Sequence, residues 1–348
     1  MLTPVATAPP LVLAIMSTAD LVTRPPFVAL PAGTGFAATF TGFVAVAAML
    51  AAALPLELSI AIVFLFAGPH NLLEARYMIG RLPARAGRLR PFVVVACGGA
   101  FVLASSFAAL PWAAAACDGR LLHAAWNAVF IGWVATLVVM RSRTRPRFDA
   151  TWVPPAALVV VLLQWPWPSL VGLALVFGHP LMALAVLHRE LRRSRPEWLP
   201  AWRMAAAAVP LGACAVWAAT SLGSDLVVRS SLESSIVRHA GVDVLAFAPA
   251  RGVVATHAFL ELVHYGVWIV MLPLIGLRSP PWRIDTVPLA RRGLSWARGV
   301  AAVLGCGVLA VVVLWACFCL DYETTRHVYF TIAVLHVLAE IPFLLRMP

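Results

Sequence analysis

The chain contains no lysine: all 26 of its basic residues are arginine. That excludes mechanisms built on a lysine Schiff base, including a retinal-binding opsin. Charge is scarce altogether, at 12% of 348 residues, against about 25% in a soluble domain. No train of short alternating segments marks a β-barrel. The opening residues lack the pattern of a cleavable signal peptide. HExxH does not occur, which argues against an intramembrane zinc protease of that type. The HxxxH and HxxHH boxes of membrane desaturases and hydroxylases do not occur either. None of the six cysteines forms a CxxC pair. Most lie in apolar runs, where they are expected as small buried hydrophobes, although Cys117 could approach Cys317 or Cys319 to form a disulfide.

What is abundant is apolar surface. Hydrophobic residues make up 62% of the chain and the mean hydropathy is +0.90. Apolar runs near the ~20 residues needed to cross a bilayer recur along its length, so the expected class is all-α, a polytopic transmembrane helical bundle. About ten spans are predicted: 36–54, 57–79, 92–114, 122–140, 152–165, 168–188, 203–222, 252–276, 297–318 and 324–346. The fifth is short and bounded by proline. Residues 1–35 are Pro-rich and read as an N-terminal segment outside the bundle, with 10–22 as an interfacial helix. Residues 36–348 read as one transmembrane domain.

The net charge of +11 sits in short loops and sets topology, so nucleic acid is not expected as a partner. Arg81, Arg85, Arg88 and Arg90 share one loop, and RSRTRPR at 141–147 forms another. Five arginines run from Arg189 to Arg203 and five from Arg278 to Arg298. The loops between these are basic-poor. The positive-inside rule then places both termini in the cytoplasm. The arginine and alanine bias suggests a bacterial genome, hence a multi-pass protein of the inner membrane. Residues 223–251 are the one sizeable exterior loop, and SDLVVRSSLESSIVRHAG within it suggests an amphipathic helix on the surface.

Directions allow depth to be counted. His70, His179, His264 and His336 each lie about 11–13 residues from the exterior end of their spans, within one helical turn of each other near the midplane. All four spans run from exterior to cytoplasm. Glu74 follows His70 by four residues, Glu340 follows His336 by four, and Glu261 stands four after His257 and three before His264. Each pair shares a helical face. An ionised carboxylate in hydrocarbon costs at least about 2.5–3.5 kcal/mol, so three of them need strong partners. A divalent metal with imidazole and carboxylate ligands is such a partner. His257 lies about two turns nearer the exterior and is read as an additional ligand or an entrance residue. His123, His188, His239 and His327, near span ends or in loops, are read as structural. Asn71, Arg76 and Tyr77 are candidates to hydrogen-bond the ligands, and Tyr265 and Tyr329 are similar. Pro69 and Pro180, beside two of the histidines, should kink their helices and widen the space between them.

A site of this composition suits Fe, Zn, Cu or Mn. At the midplane it would meet substrates dissolved in the bilayer, such as carotenoids, quinones or acyl chains. The stretch GPHNLLEARY at 68–77, with GHP at 178–180 and LHVLAE at 335–340, resembles the Brp/Blh-like membrane β-carotene dioxygenases. In that family a non-haem iron is attributed to histidines from different helices. Here Glu74 comes four residues after His70, a departure from the family's motif. The resemblance implies an iron-dependent oxygenase or hydroxylase with His70, His179, His264 and His336 as primary ligands. Glu74, Glu261 and Glu340 would bridge metals, complete the shell or move protons. A haem held by two of the histidines, or a cation- or proton-coupled transporter, are the alternatives.

Overall fold

The computed structural model describes residues 32–82, 87–144, 149–221, 223, 225–276 and 283–346. The interfacial helix expected at 10–22 lies outside them. Among the described residues there is no strand, and nine helical segments are long and apolar enough to cross a membrane. The helices are α1 (Thr34–Ala53), α2 (Pro55–Arg81), α3 (Arg90–Ala114), α4 (Gly119–Ser142), α5 (Val153–Gln164), α6 (Ser169–Ser194), α7 (Leu199–Ala206), α8 (Ala208–Ser221), α9 (Ser231–His239), α10 (Ala250–Gly266), α11 (Leu272–Gly276), α12 (Leu294–Leu320) and α13 (Tyr322–Arg346). The chain is a polytopic helical bundle.

Ends are set by ordinary helix chemistry. Pro55 and Pro91 sit in the first turns of α2 and α3, where a missing N–H costs nothing. Asp118 caps α4 by accepting from the backbone N–H of Arg120 and Leu121. Ser230 and Glu233 form a capping box at α9.

α5 has 12 residues, about 18 Å and well short of the ~30 Å hydrocarbon core. It still returns the chain to the Arg-poor end. Gln164 Nε2 donates to the Ala124 carbonyl at 3.1 Å, and Asn127 Nδ2 donates to Gln164 Oε1 at 3.0 Å.

One helix is unlike the rest. In the span Ala250–Ile275, 78% of the most apolar window is buried inside the bundle, against 11–39% for the other spans. α10 is therefore the central post, packed by α1, α2, α6 and α8. Beyond Gly266 it widens into a π-helical turn over Val267–Met271 before α11, a distortion that recurs at functional sites. The outer helices turn their apolar faces outward, with Phe101, Val102, Leu163 and Val303 all largely exposed. The six cysteines are free and exposed too. This corrects the expectation of burial: they line the periphery rather than the core, and Cys117 is unpaired. The helix predicted near 224–241 forms as α9, yet it packs down onto the bundle instead of lying free. Its Ile236 and the following Ala240 are buried against Leu56, Val253 and Val254.

The Arg-rich end is fastened by a polar knot. Glu190 of α6 accepts from Tyr77 at 2.9 Å and from Arg81 at 2.6 Å, both on α2. Arg189 donates to the Tyr77 hydroxyl at 2.8 Å. Tyr77 thus serves this knot rather than the histidines, contrary to the expectation from sequence. Glu190→Gln should lower stability by about 1–3 kcal/mol, since it leaves Arg189 poorly compensated while Arg81 is partly solvated. A drop in the thermal unfolding midpoint of the detergent-solubilised protein, absent in an exposed Glu197→Gln control, checks this.

Candidate metal centre

α2, α6, α10 and α13 each bring one histidine to the middle of the bundle. The imidazoles of His70, His264 and His336 and the carboxylate of Glu74 each offer a donor atom, all within 4.8 Å of one another. His179 joins them from α6. Its Nε2 lies 3.1 Å from His336 Nε2, and its ring centroid is 4.5 Å from that of His264. Two nitrogens bound to one ion at about 2.0–2.1 Å are about 2.9–3.4 Å apart when cis, so the first spacing suits a shared ion. The 4.8 Å limit on the group is wider than the ~4.4 Å that separates trans donors with bonds near 2.2 Å, so the donors would draw together around an ion.

The tautomers can be read from the far side of each ring. His70 Nδ1 faces the Phe66 carbonyl at 3.0 Å, and His264 Nδ1 faces the Pro180 carbonyl at 3.4 Å. A carbonyl only accepts, so both Nδ1 atoms carry the proton and both Nε2 atoms present a lone pair. Those Nε2 atoms are buried and have no hydrogen-bond partner, and neither oxygen of Glu74 has one. Buried polar atoms in native structures are paired in the great majority. An imidazole anchored to a carbonyl through one nitrogen, with the other nitrogen bare, is the usual setting of a metal ligand. The donor set therefore fits a divalent ion.

Around it stand positioning groups. Glu340 Oε2 lies 3.2 Å from His179 Nδ1, and both Glu340 oxygens are buried without a hydrogen-bond partner, so Glu340 borders the group on the His179 side. Tyr265 stacks against His70 with centroids 4.2 Å apart. Asn71 donates to the Tyr329 hydroxyl at 3.3 Å, so it braces α2 against α13.

His257 and Glu261 do not enter this group. Their side chains approach one another, Nδ1 to Oε2 at 3.6 Å, and with His239 they form a separate cluster nearer the Arg-poor end. Glu261 shares a helical face with His264 but lies a turn away, so it turns to His257. His239, read from the sequence as structural, is the last residue of the capping-box helix α9, and the packing of that helix onto α10 brings its ring beside His257.

Both clusters line one cavity of about 380 Å³, at the low end of the usual range for ligand sites. Its other walls are largely apolar, including Phe107, Trp126, Leu175, Val176, Val334 and Leu338. His123 and His327, near the Arg-poor ends of α4 and α13, also line it.

The fold and this site define a polytopic helical membrane protein with a buried histidine–glutamate group able to hold a metal ion. No protein-family model, curated protein or solved structure matches the chain.

Glu74→Gln separates a binding role from a packing role. It removes a carboxylate whose oxygens have no partner, so the midpoint of the metal-stripped protein should stay level or rise. An ion added at 100 times its dissociation constant stabilises the wild type by about 2.7 kcal/mol, and tenfold weaker binding cuts this to about 1.4 kcal/mol. Paired melts with and without Fe(II) or Zn(II) check both halves.

Proposed function

We propose that this chain is a membrane-embedded metalloenzyme, a non-haem iron oxygenase or hydroxylase acting on a lipid-soluble substrate. The observation that carries the reading is the convergence, deep in the bundle, of bare imidazole nitrogens and a carboxylate with no hydrogen-bond partner. Bound there, iron would supply activation of O₂. Zn, Cu or Mn would suit the same donors.

The protein's own part is to hold and exclude. His70 and His264 would bind through Nε2, held in tautomer and angle by the carbonyls of Phe66 and Pro180. His336 and His179 would bind from α13 and α6, with Glu340 steadying the His179 ring. Glu74 would offset the ion's charge. The apolar arm of the cavity keeps water from the centre and accepts an alkyl chain or ring between α3, α4, α6 and α13. A substrate entering there comes sideways from the bilayer, from the exterior half if the arginine-rich end faces the cytoplasm of a bacterial cell. The resemblance to Brp/Blh-like dioxygenases points to a carotenoid, and a quinone or acyl chain suits the same lining.

His179 and His336, with Nε2 atoms 3.1 Å apart, are too close to take a haem between them, so that pair favours a bare ion over the haem alternative.

Elemental analysis and an absorbance spectrum of the detergent-purified protein test the reading. At least one transition-metal ion per chain and no Soret band are expected, with affinity falling by about tenfold or more in His264→Ala. An active preparation free of transition metal, or a Soret band, overturns it.

A further inference from the structure

A second set of donors stands apart from the four-histidine group. His239, His257 and Glu261 each offer one ligand atom, all within 4.8 Å of one another. His257 and Glu261 occupy successive turns of α10 and are 3% and 7% exposed. His239 comes from α9, its ring centroid 5.3 Å from that of His257. Glu261 Oε2 is buried without a hydrogen-bond partner.

We infer that His239, His257 and Glu261 form a second divalent-metal site, mononuclear and separate from the four-histidine centre. Two imidazoles and one carboxylate hold Fe(II) or Zn(II) while leaving coordination positions open, here toward the shared cavity. Residues 257 and 261 centre about five positions before His264, which is about 7 Å along the helix axis. That exceeds the ~3.5–4 Å of a bridged two-metal centre, so Glu261 bridges nothing. The ion would also tie the short cap α9 to the central post.

Arg326 is the rival source of charge balance. It is buried and close enough to Glu261 to feel its field. It does not close on the carboxylate, however: its Nη1 donates to Ser235 Oγ at 3.1 Å and its Nε has no partner. With an ion in place, this guanidinium favours an anionic co-ligand such as hydroxide or a carboxylate.

Titrating the metal-stripped full chain in detergent with Co(II), followed by its visible bands, tests this inference independently of the proposed enzyme activity. The wild type should take up two ions per chain, in two spectral classes. His239→Ala and the near-isosteric Glu261→Gln should each take up one, with the four-histidine bands unchanged, and His264→Ala should retain only the other class. Should His239→Ala fail to fold, Glu261→Gln and the wild-type count still decide. A single wild-type ion that His264→Ala abolishes overturns the second site, shows that Arg326 alone balances Glu261, and leaves the four-histidine reading intact. Two ions in both His239→Ala and Glu261→Gln overturn it as well. No uptake by the wild type overturns both.

Discussion

Hydrocarbon offers a buried polar atom nothing to bond with, so every such atom inside this bundle must be answered by another group of the protein or by something the protein holds. α10 is where that constraint presses hardest. It is buried on nearly all sides, and yet it carries His257, Glu261, His264 and Tyr265. α2, α6 and α13 bring their histidines to His264 at one level, and α9 brings His239 to His257 and Glu261 at another. Backbone carbonyls take the N–H of His70 and His264, and the lone pairs opposite are left facing one another.

Rigidity at the ends makes that arrangement tenable. The Glu190 knot fastens α2 to α6 at the Arg-rich end, and these are the helices that deliver His70 and His179. At the other end, Gln164 and Asn127 hold the short α5 against α4. α9 covers the post through a small apolar contact around Ile236. This nine-residue helix is also hydrogen-bonded to α13, through Ser231 to Glu323 and Arg326 to Ser235, and it carries His239 to the second cluster.

Much of this was legible before folding. Hydropathy gave nine of the ten predicted spans, because the ~30 Å core demands a fixed length of apolar chain, and the fifth forms as the short helix α5. Depth was legible for the four midplane histidines, since each residue of a helix advances 1.5 Å. The cysteines were misplaced for a related reason: in a membrane an apolar run does not say which side of the helix is inside, because lipid and core are equally apolar.

The sequence by itself determined the class of protein, the level of each polar residue along its span, and the pairing of residues four apart on one face. These follow from the pitch of a helix and the thickness of a bilayer. Tertiary structure decided rotation and neighbourhood. It sorted seven of the eight candidate residues into two clusters, put Glu340 beside His179, turned Glu261 toward His257, and brought in His239 from α9. Those outcomes depend on which helices pack against α10 and at what angle, and helical periodicity in a single chain carries no information about either.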